Sequence, residues 1–481
     1  MLLSLVLAYL LVTIVVGLWA AKRVRTAADF AIAGRQLPLA MVITTTFATW
    51  FGSETVLGIP AKFISGGLHG VVEDPFGAGC CLILVGIFFA GKLYRMNLLT
   101  ICDYFRERYG RRVEVACSVI IMLSYLGWVS AQVTALGLIF NLLSDGYISL
   151  TLGMTLGVIS ILAYTLFGGM WSVAITDFIQ VVVLVIGLSI ITLFASDLAG
   201  GVGEVISLAA SRDLFRVLPE PQFTDIMFFI ASAITMMFGS IPQQDVFQRV
   251  MSANSESAAS RGPIIGGVCY IIFALVPMFL VTSALIVMPD ITEDLLRVDP
   301  QRVLPTLVME KMPFIMQVLF FGALLSAIKS TASATLLAPS VTFTENILSH
   351  FRQKMSDHDE LHAMQMTVLV FSACVLCYAI YAQGSSIYEM VSGAYQITLV
   401  GAFVPLISGL YWQRATTQGA IASIALGLIT WLFFLTTPMG ELFPSQLAGL
   451  VAGILGMVTG SLAPQLIPHE KAPHRRHSGL E

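Results

Sequence analysis

Long apolar runs divide this chain, each closed by a short polar or basic stretch. A helix that crosses a bilayer needs about 20 predominantly apolar residues. By that measure the pattern predicts thirteen spans, at 2–20, 38–66, 75–93, 113–142, 148–167, 174–197, 224–242, 263–288, 314–346, 363–384, 388–411, 416–437 and 444–465. The expected fold class is an all-α polytopic membrane protein, a single transmembrane domain over 1–465 followed by a cytoplasmic tail at 466–481.

Two runs carry helix breakers near their middle or end. The second contains "TWFGSETVLGIPAKF", with Gly52, Gly58 and Pro60, and the seventh ends in "MMFGSIPQQDVFQR", with Gly239 and Pro242. Each could be an ordinary kink. Their matching places, five spans apart, point instead to an inverted-repeat transporter. Unwound backbone at membrane depth is tolerated only where it lines a site or a cavity.

Lysine and arginine then orient the layout. With the N-terminus outside, eighteen of them fall on the inner side and five on the outer side, with Lys62 and Lys329 inside spans. The inner set includes Arg106, Arg249, Arg352, Lys354, Lys471, Arg475 and Arg476. That bias is the positive-inside rule. The basic residues Lys22, Arg23 and Arg25 follow the first run rather than precede it, so the start reads as an uncleaved span and not as a signal peptide. The orientation places the C-terminus in the cytoplasm and the protein in the cell membrane.

Composition agrees: 57% of residues are hydrophobic and 11% charged, against about 25% charged in soluble domains. The net charge of −4 says nothing about partners; no basic face appears outside the loops, so nucleic acid is not an expected partner. The seven cysteines read as small packing residues, six in or beside apolar runs and Cys102 in a basic loop. No histidine cluster, nucleophile–base pair or phosphate loop occurs among the spans, so an enzyme is not expected.

The stretch "TLFGGMWSVAITDFIQ" (165–180) links the fifth and sixth spans and sets Asp177 just inside a membrane helix. A carboxylate near a helix N-terminus is an ordinary feature. Its context is more specific. Gly168, Gly169, Ser172, Val173, Thr176, Asp177 and Gln180 resemble the signature of the sodium/solute symporter family. "FGSIPQQDVFQRVMSA" and "ATWFG" resemble the corresponding stretches of its choline-transporter branch, and the sodium/proline symporters are similar at a greater distance. The resemblance runs along nearly the whole chain.

It implies a LeuT-type core of five plus five spans: an extra first helix at 2–20, one repeat at 38–197, the second at 224–411 and two more helices at 416–465. It also implies alternating access driven by sodium, with no other cofactor. The sodium site it implies takes the carbonyl of Ala327 and the hydroxyls of Ser330 and Thr331 from the ninth span. The carbonyls of Ala48 and Phe51 in the broken second span complete it. Hydroxyls at i+3 and i+4 share a helix face with residue i. Asp177 is implied to face the inner aqueous path and to assist ion release. In choline transporters aromatic rings cage the quaternary ammonium, and Trp50 and Trp128 match two of them. Gln243 stands where the third would be, and Glu54 is an added carboxylate. With Gln244, this set suits a polar amine, a zwitterion or an amino-acid-like solute.

Lys329 departs from the usual apolar residue at its place. At about 100° per residue it points some 100° away from Ser330. Three readings stay open: a structural ion pair with a carboxylate such as Glu54, a charge bordering a water-filled path, or a replacement for sodium that would make the carrier proton-coupled or ion-independent. The expected function is sodium-coupled symport of a small organic solute. A membrane sensor on the same fold is the other class, against which the short tail counts.

Overall fold

In the computed structural model, which describes residues 1–351 and 356–467, the chain is all-helical. Among the described residues the only ladder contact is one isolated parallel bridge, Leu37 to Ala253. The helices are α1 (Leu2–Ala21), α2 (Leu39–Trp50), α3 (Ile59–Gly70), α4 (Val72–Tyr94), α5 (Arg111–Leu143), α6 (Leu150–Leu198) and α7 (Phe223–Gly239). They continue as α8 (Gln244–Ser252), α9 (Glu256–Val287), α10 (Phe314–Phe343), α11 (Asp357–Tyr381), α12 (Ile387–Tyr411), α13 (Thr417–Thr436) and α14 (Ser445–Leu462). Arg352, Lys354, Lys471, Arg475 and Arg476 lie outside the described residues, as does the tail from 468.

Ten helices among the described residues are long and apolar enough to cross a membrane, or eleven if α7 and α8, bent by 44°, form one span. The predicted thirteen is not reached on that count, and two features explain the difference. The second predicted span is two short helices, α2 and α3. The fifth and sixth are joined in α6, which runs 49 residues. At 1.5 Å per residue that is roughly 74 Å, more than twice the ~30 Å hydrocarbon core. The helix breaks at Gly169, whose φ of 45° and ψ of −140° leave the helical region. A Cβ there would fall 2.4 Å from the Phe30 carbonyl oxygen, so only glycine fits.

The centre of the molecule is built from α2, α5, α6, α8, α10 and α12. Nearly every α10 residue from Phe320 to Thr342 is buried, as expected of a helix surrounded by others. By contrast α1 is apolar all round and mostly exposed, a lipid-facing helix that packs one side on α6 and α10. The two broken regions meet at one end, where Leu37 N–H donates to the Ser252 carbonyl (2.9 Å) and Asn254 N–H to the Leu37 carbonyl (2.9 Å).

Three sequence placements need correction. Cys102 is buried in the short helix Ile101–Tyr109 rather than in a loop. Arg106, on the same helix, is also buried: it pairs with Asp103 (3.0 Å) and Glu114 (3.2 Å), and Asn346 Nδ2 donates to both carboxylates (2.9 Å each). Arg249 is 1% exposed on α8, where Nη1 donates to the Asp245 carbonyl (2.8 Å). These residues sit in polar networks that hydropathy along a single run does not show.

Candidate functional site

The α2 helix ends where Phe51 leaves helical geometry (φ −90°, ψ 68°), and a π-helical turn at Glu54–Gly58 leads into α3. Breaking the helix frees carbonyl groups that a continuous helix would consume. The Thr331 hydroxyl on α10 lies 3.3 Å from one of them, the Ala48 carbonyl. One residue earlier, the Ser330 hydroxyl donates to Asp177 Oδ1 at 2.5 Å, and Thr45 on α2 donates to Oδ2 at 2.5 Å. Asp177 is fully buried. Three helices therefore bring a carboxylate, three hydroxyls and a carbonyl together. These are hard oxygen donors, the set that a hard cation takes.

Ala327 lies one turn before Thr331 on the same face of α10, and Phe51 is buried at the end of α2. Asp177 is buried, and its carboxylate accepts from Thr45 and Ser330. Thr45 is a neighbour that the sequence did not single out.

On the other side of the α2 break lies an aromatic chamber. The Trp50 ring sits 6.3 Å from Trp128, 6.4 Å from Tyr270 and 6.0 Å from Tyr395. Trp128 in turn lies 5.3 Å from Tyr395 and stacks on Tyr125 at 6.0 Å. Glu54, 2% exposed, is held against this wall. Trp128 Nε1 donates to its Oε1 (3.1 Å) and Gln132 Nε2 to its Oε2 (2.6 Å), while Gln132 Oε1 accepts from Ser53 N–H (2.9 Å). Trp128 and Gln132 stand four apart on α5 and so share one face. That spacing was the signal by which Gln132 could have been found. Nothing local marks Tyr125, Tyr270 or Tyr395.

Gln243, between α7 and α8, bonds Ser124 (2.9 Å) and reaches Thr398 (3.4 Å), one turn beyond Tyr395. Gln244 turns elsewhere: its oxygen accepts from Ile101 N–H (2.8 Å) and its nitrogen faces the Leu99 carbonyl (3.5 Å). It ties down the start of the short helix rather than joining the chamber.

Lys329 does not pair with Glu54. Its Nζ donates to the Thr13 hydroxyl on α1 at 2.7 Å and lies 5.0 Å from the centre of the Tyr164 ring. Among the described residues no ion pair includes it. The α10 face that carries Lys329 meets the extra first helix, and Ser330 and Thr331 occupy a different face. The ion-pair expectation failed because Glu54 is satisfied by neutral donors from α5, which its sequence neighbours do not reveal.

Broken helices around a buried polar centre define a secondary transporter rather than an enzyme. The sodium:solute symporter family model matches residues 30–427, and the chain belongs to that family. The high-affinity choline transporter of Torpedo marmorata is 29% identical over 449 residues, covering 89% of this chain and 75% of that one. The high-affinity proline transporter PutP of Bacillus subtilis is 24% identical over 463 residues, covering 94% and 96%. The solved structure of a Na+-coupled sialic acid symporter superposes with a TM-score of 0.84 at 21% identity, covering 96% of this chain and 97% of that one. The fold is the LeuT type.

Proposed function

We propose that the protein is a sodium-coupled symporter of a small organic amine, working by alternating access in the cell membrane with its N-terminus outside. Repeats at 38–197 and 224–411 form the moving core of this reading. Sodium takes the oxygens of Ala48, Phe51, Ala327, Ser330 and Thr331, with Asp177 supplying the nearby negative charge. The amine takes Glu54 and the rings of Trp50 and Trp128, extended by Tyr125, Tyr270 and Tyr395. An ammonium over such rings gains about 0.5–2 kcal/mol, depending on how far it is desolvated.

One observation carries the coupling. A side chain at Gly52 would stand 2.6 Å from Glu54 Oε2 and 2.7 Å from Thr331 Oγ1. The same unwound residue thus touches the proposed ion ligand and the proposed substrate ligand. An ion that fixes this segment also fixes the carboxylate that receives the amine, and each ligand strengthens the other. The choline and proline named for two relatives both carry a positively charged nitrogen, which supports the class.

The test is uptake into proteoliposomes of radiolabelled monoamines and of neutral solutes of matched size, with and without an inward sodium gradient. Sodium should drive the amines, and Glu54→Gln should weaken their uptake far more than that of any neutral solute carried. Uptake driven equally by a proton gradient in sodium-free buffer would overturn the ion assignment.

A further inference from the structure

Two carboxylates beside the aromatic chamber are not used by the reading above. Glu73 and Asp74 begin α4 and are 6% and 1% exposed. Glu73 Oε2 accepts from Ser392 on α12 (2.9 Å), and Asp74 Oδ1 accepts from the Tyr270 hydroxyl (2.5 Å). The other oxygen of each, Glu73 Oε1 and Asp74 Oδ2, is buried without a partner. The fully buried hydroxyl of Tyr395 also lacks one, and that group lies within electrostatic reach of Asp245, Glu54 and Asp74. Leaving such groups unpaired is costly, and more so for a charge. A buried array with free acceptors is one that a ligand completes.

The array adjoins the chamber. Tyr270 belongs to both: its ring faces Trp50, while its hydroxyl bonds Asp74 and lies 3.0 Å from the hydroxyl of Thr55, the residue after Glu54. On the opposite wall Ser392 and Tyr395 stand three apart on α12, where such residues share a face.

Resting on the amine reading above, we propose that the substrate is an elongated diamine. One ammonium sits at Glu54 among the rings, and the second sits at Glu73 and Asp74.

Charge and shape both favour this occupant. Among the described residues none of the three carboxylates forms an ion pair. Lys62 exerts a pull on Glu73, and its Nζ lies 5.8 Å from the centre of the Tyr388 ring. Arg249 lies within electrostatic reach of Asp245 and donates to its backbone carbonyl (2.8 Å). Three carboxylates beside one lysine offer places for two ammonium groups, of which a monoamine fills one. A compact divalent ion would need its ligands to converge, and among the described residues no cluster of three acids, histidines or cysteines does so. The carboxylates instead adjoin aromatic residues, Glu54 at Trp128 and Asp74 at Tyr270, whose ring faces suit a methylene chain with a cation at each end.

The test is titration calorimetry of the whole purified protein in sodium buffer. The probes are butylamine, choline and the straight-chain α,ω-diaminoalkanes from diaminopropane to diaminohexane. At least one diamine should bind ten times tighter than butylamine or more, a difference of about 1.4 kcal/mol. In Glu73→Gln, in Asp74→Asn and in the double variant the diamine-to-butylamine ratio should fall toward one. Equal affinities in the unmodified protein would overturn the proposal while leaving the amine chamber intact, and they require no variant to fold. A preference that survives both neutral isosteres would also overturn it. Failure of every amine to bind would remove the chamber reading, and this proposal with it.

Discussion

Replacing Lys329 by methionine removes a charge from the interior and keeps the length of the side chain. The ammonium now has one hydrogen bond, to Thr13, and one aromatic face, Tyr164. A hydrogen bond to a charged group is worth about 1.5–3 kcal/mol, and a desolvated cation–π contact up to about 2 kcal/mol. Against these stands a desolvation cost of several kcal/mol for an ion without a counter-charge. The polar terms nearly cancel, and methionine adds apolar burial. Thr13 is not stranded, because its hydroxyl still has the Leu10 carbonyl at 2.8 Å. Lys329→Met should therefore stabilise the protein by about 1–3 kcal/mol, within the range found when buried ionic groups yield to apolar ones of similar volume. Thermal unfolding of the purified protein in one detergent, followed by intrinsic fluorescence, measures this as a rise in Tm. A fall in Tm would refute the reasoning. Recovery on adding Glu54→Gln would identify Glu54 as a partner of the lysine.

Three further outcomes follow from the site. Ser330→Ala with Thr331→Ala removes two oxygen donors, so half-maximal uptake should need at least tenfold more sodium while the protein still folds; an unchanged sodium requirement in uptake assays would remove both residues from the ion site. Asp177→Asn keeps the shape and one of the two accepted hydroxyl bonds, reverses the other and loses the charge, so turnover in proteoliposomes should fall steeply with amine affinity near normal; normal turnover would leave Asp177 as a structural acceptor only. Gly52→Ala puts a methyl group against Glu54 and Thr331, and should weaken sodium and amine binding together in equilibrium titrations; loss of one without the other would place Gly52 outside the junction.

The spans were legible because the bilayer demands long apolar runs, and Gly52, Pro60, Gly239 and Pro242 announced the breaks in α2–α3 and α7–α8. The count was less so. The apolar runs separated the two arms of α6 but did not show that they join in one helical run bent at Gly169. Within the site, Ser330 and Thr331 were picked out through the resemblance to the sodium/solute symporters, since a Ser-Thr pair in a membrane helix is by itself an ordinary packing feature, and the rotation of Lys329 away from Ser330 follows from helix geometry alone. What Lys329 meets did not follow, since Thr13 lies 316 residues away on a helix outside the repeats. The bonds from Asp177 to Ser330 and to Thr45 span 153 and 132 residues. Contacts of that separation depend on how helices assemble, which local pattern does not encode. Gln132 is the intermediate case, since its i+4 spacing from Trp128 was visible but meant nothing until Glu54 was seen to bridge the two.

The central claim is that ion and amine meet across Gly52, and the direct test is equilibrium linkage. Butylamine affinity is titrated by calorimetry at saturating sodium and in sodium-free buffer of equal ionic strength, and sodium affinity is titrated with and without the amine. The account predicts that sodium tightens amine binding at least fivefold, and that the amine tightens sodium binding by the same factor, as a shared coupling free energy of about 1 kcal/mol or more requires. An amine affinity that is the same with and without sodium would contradict it.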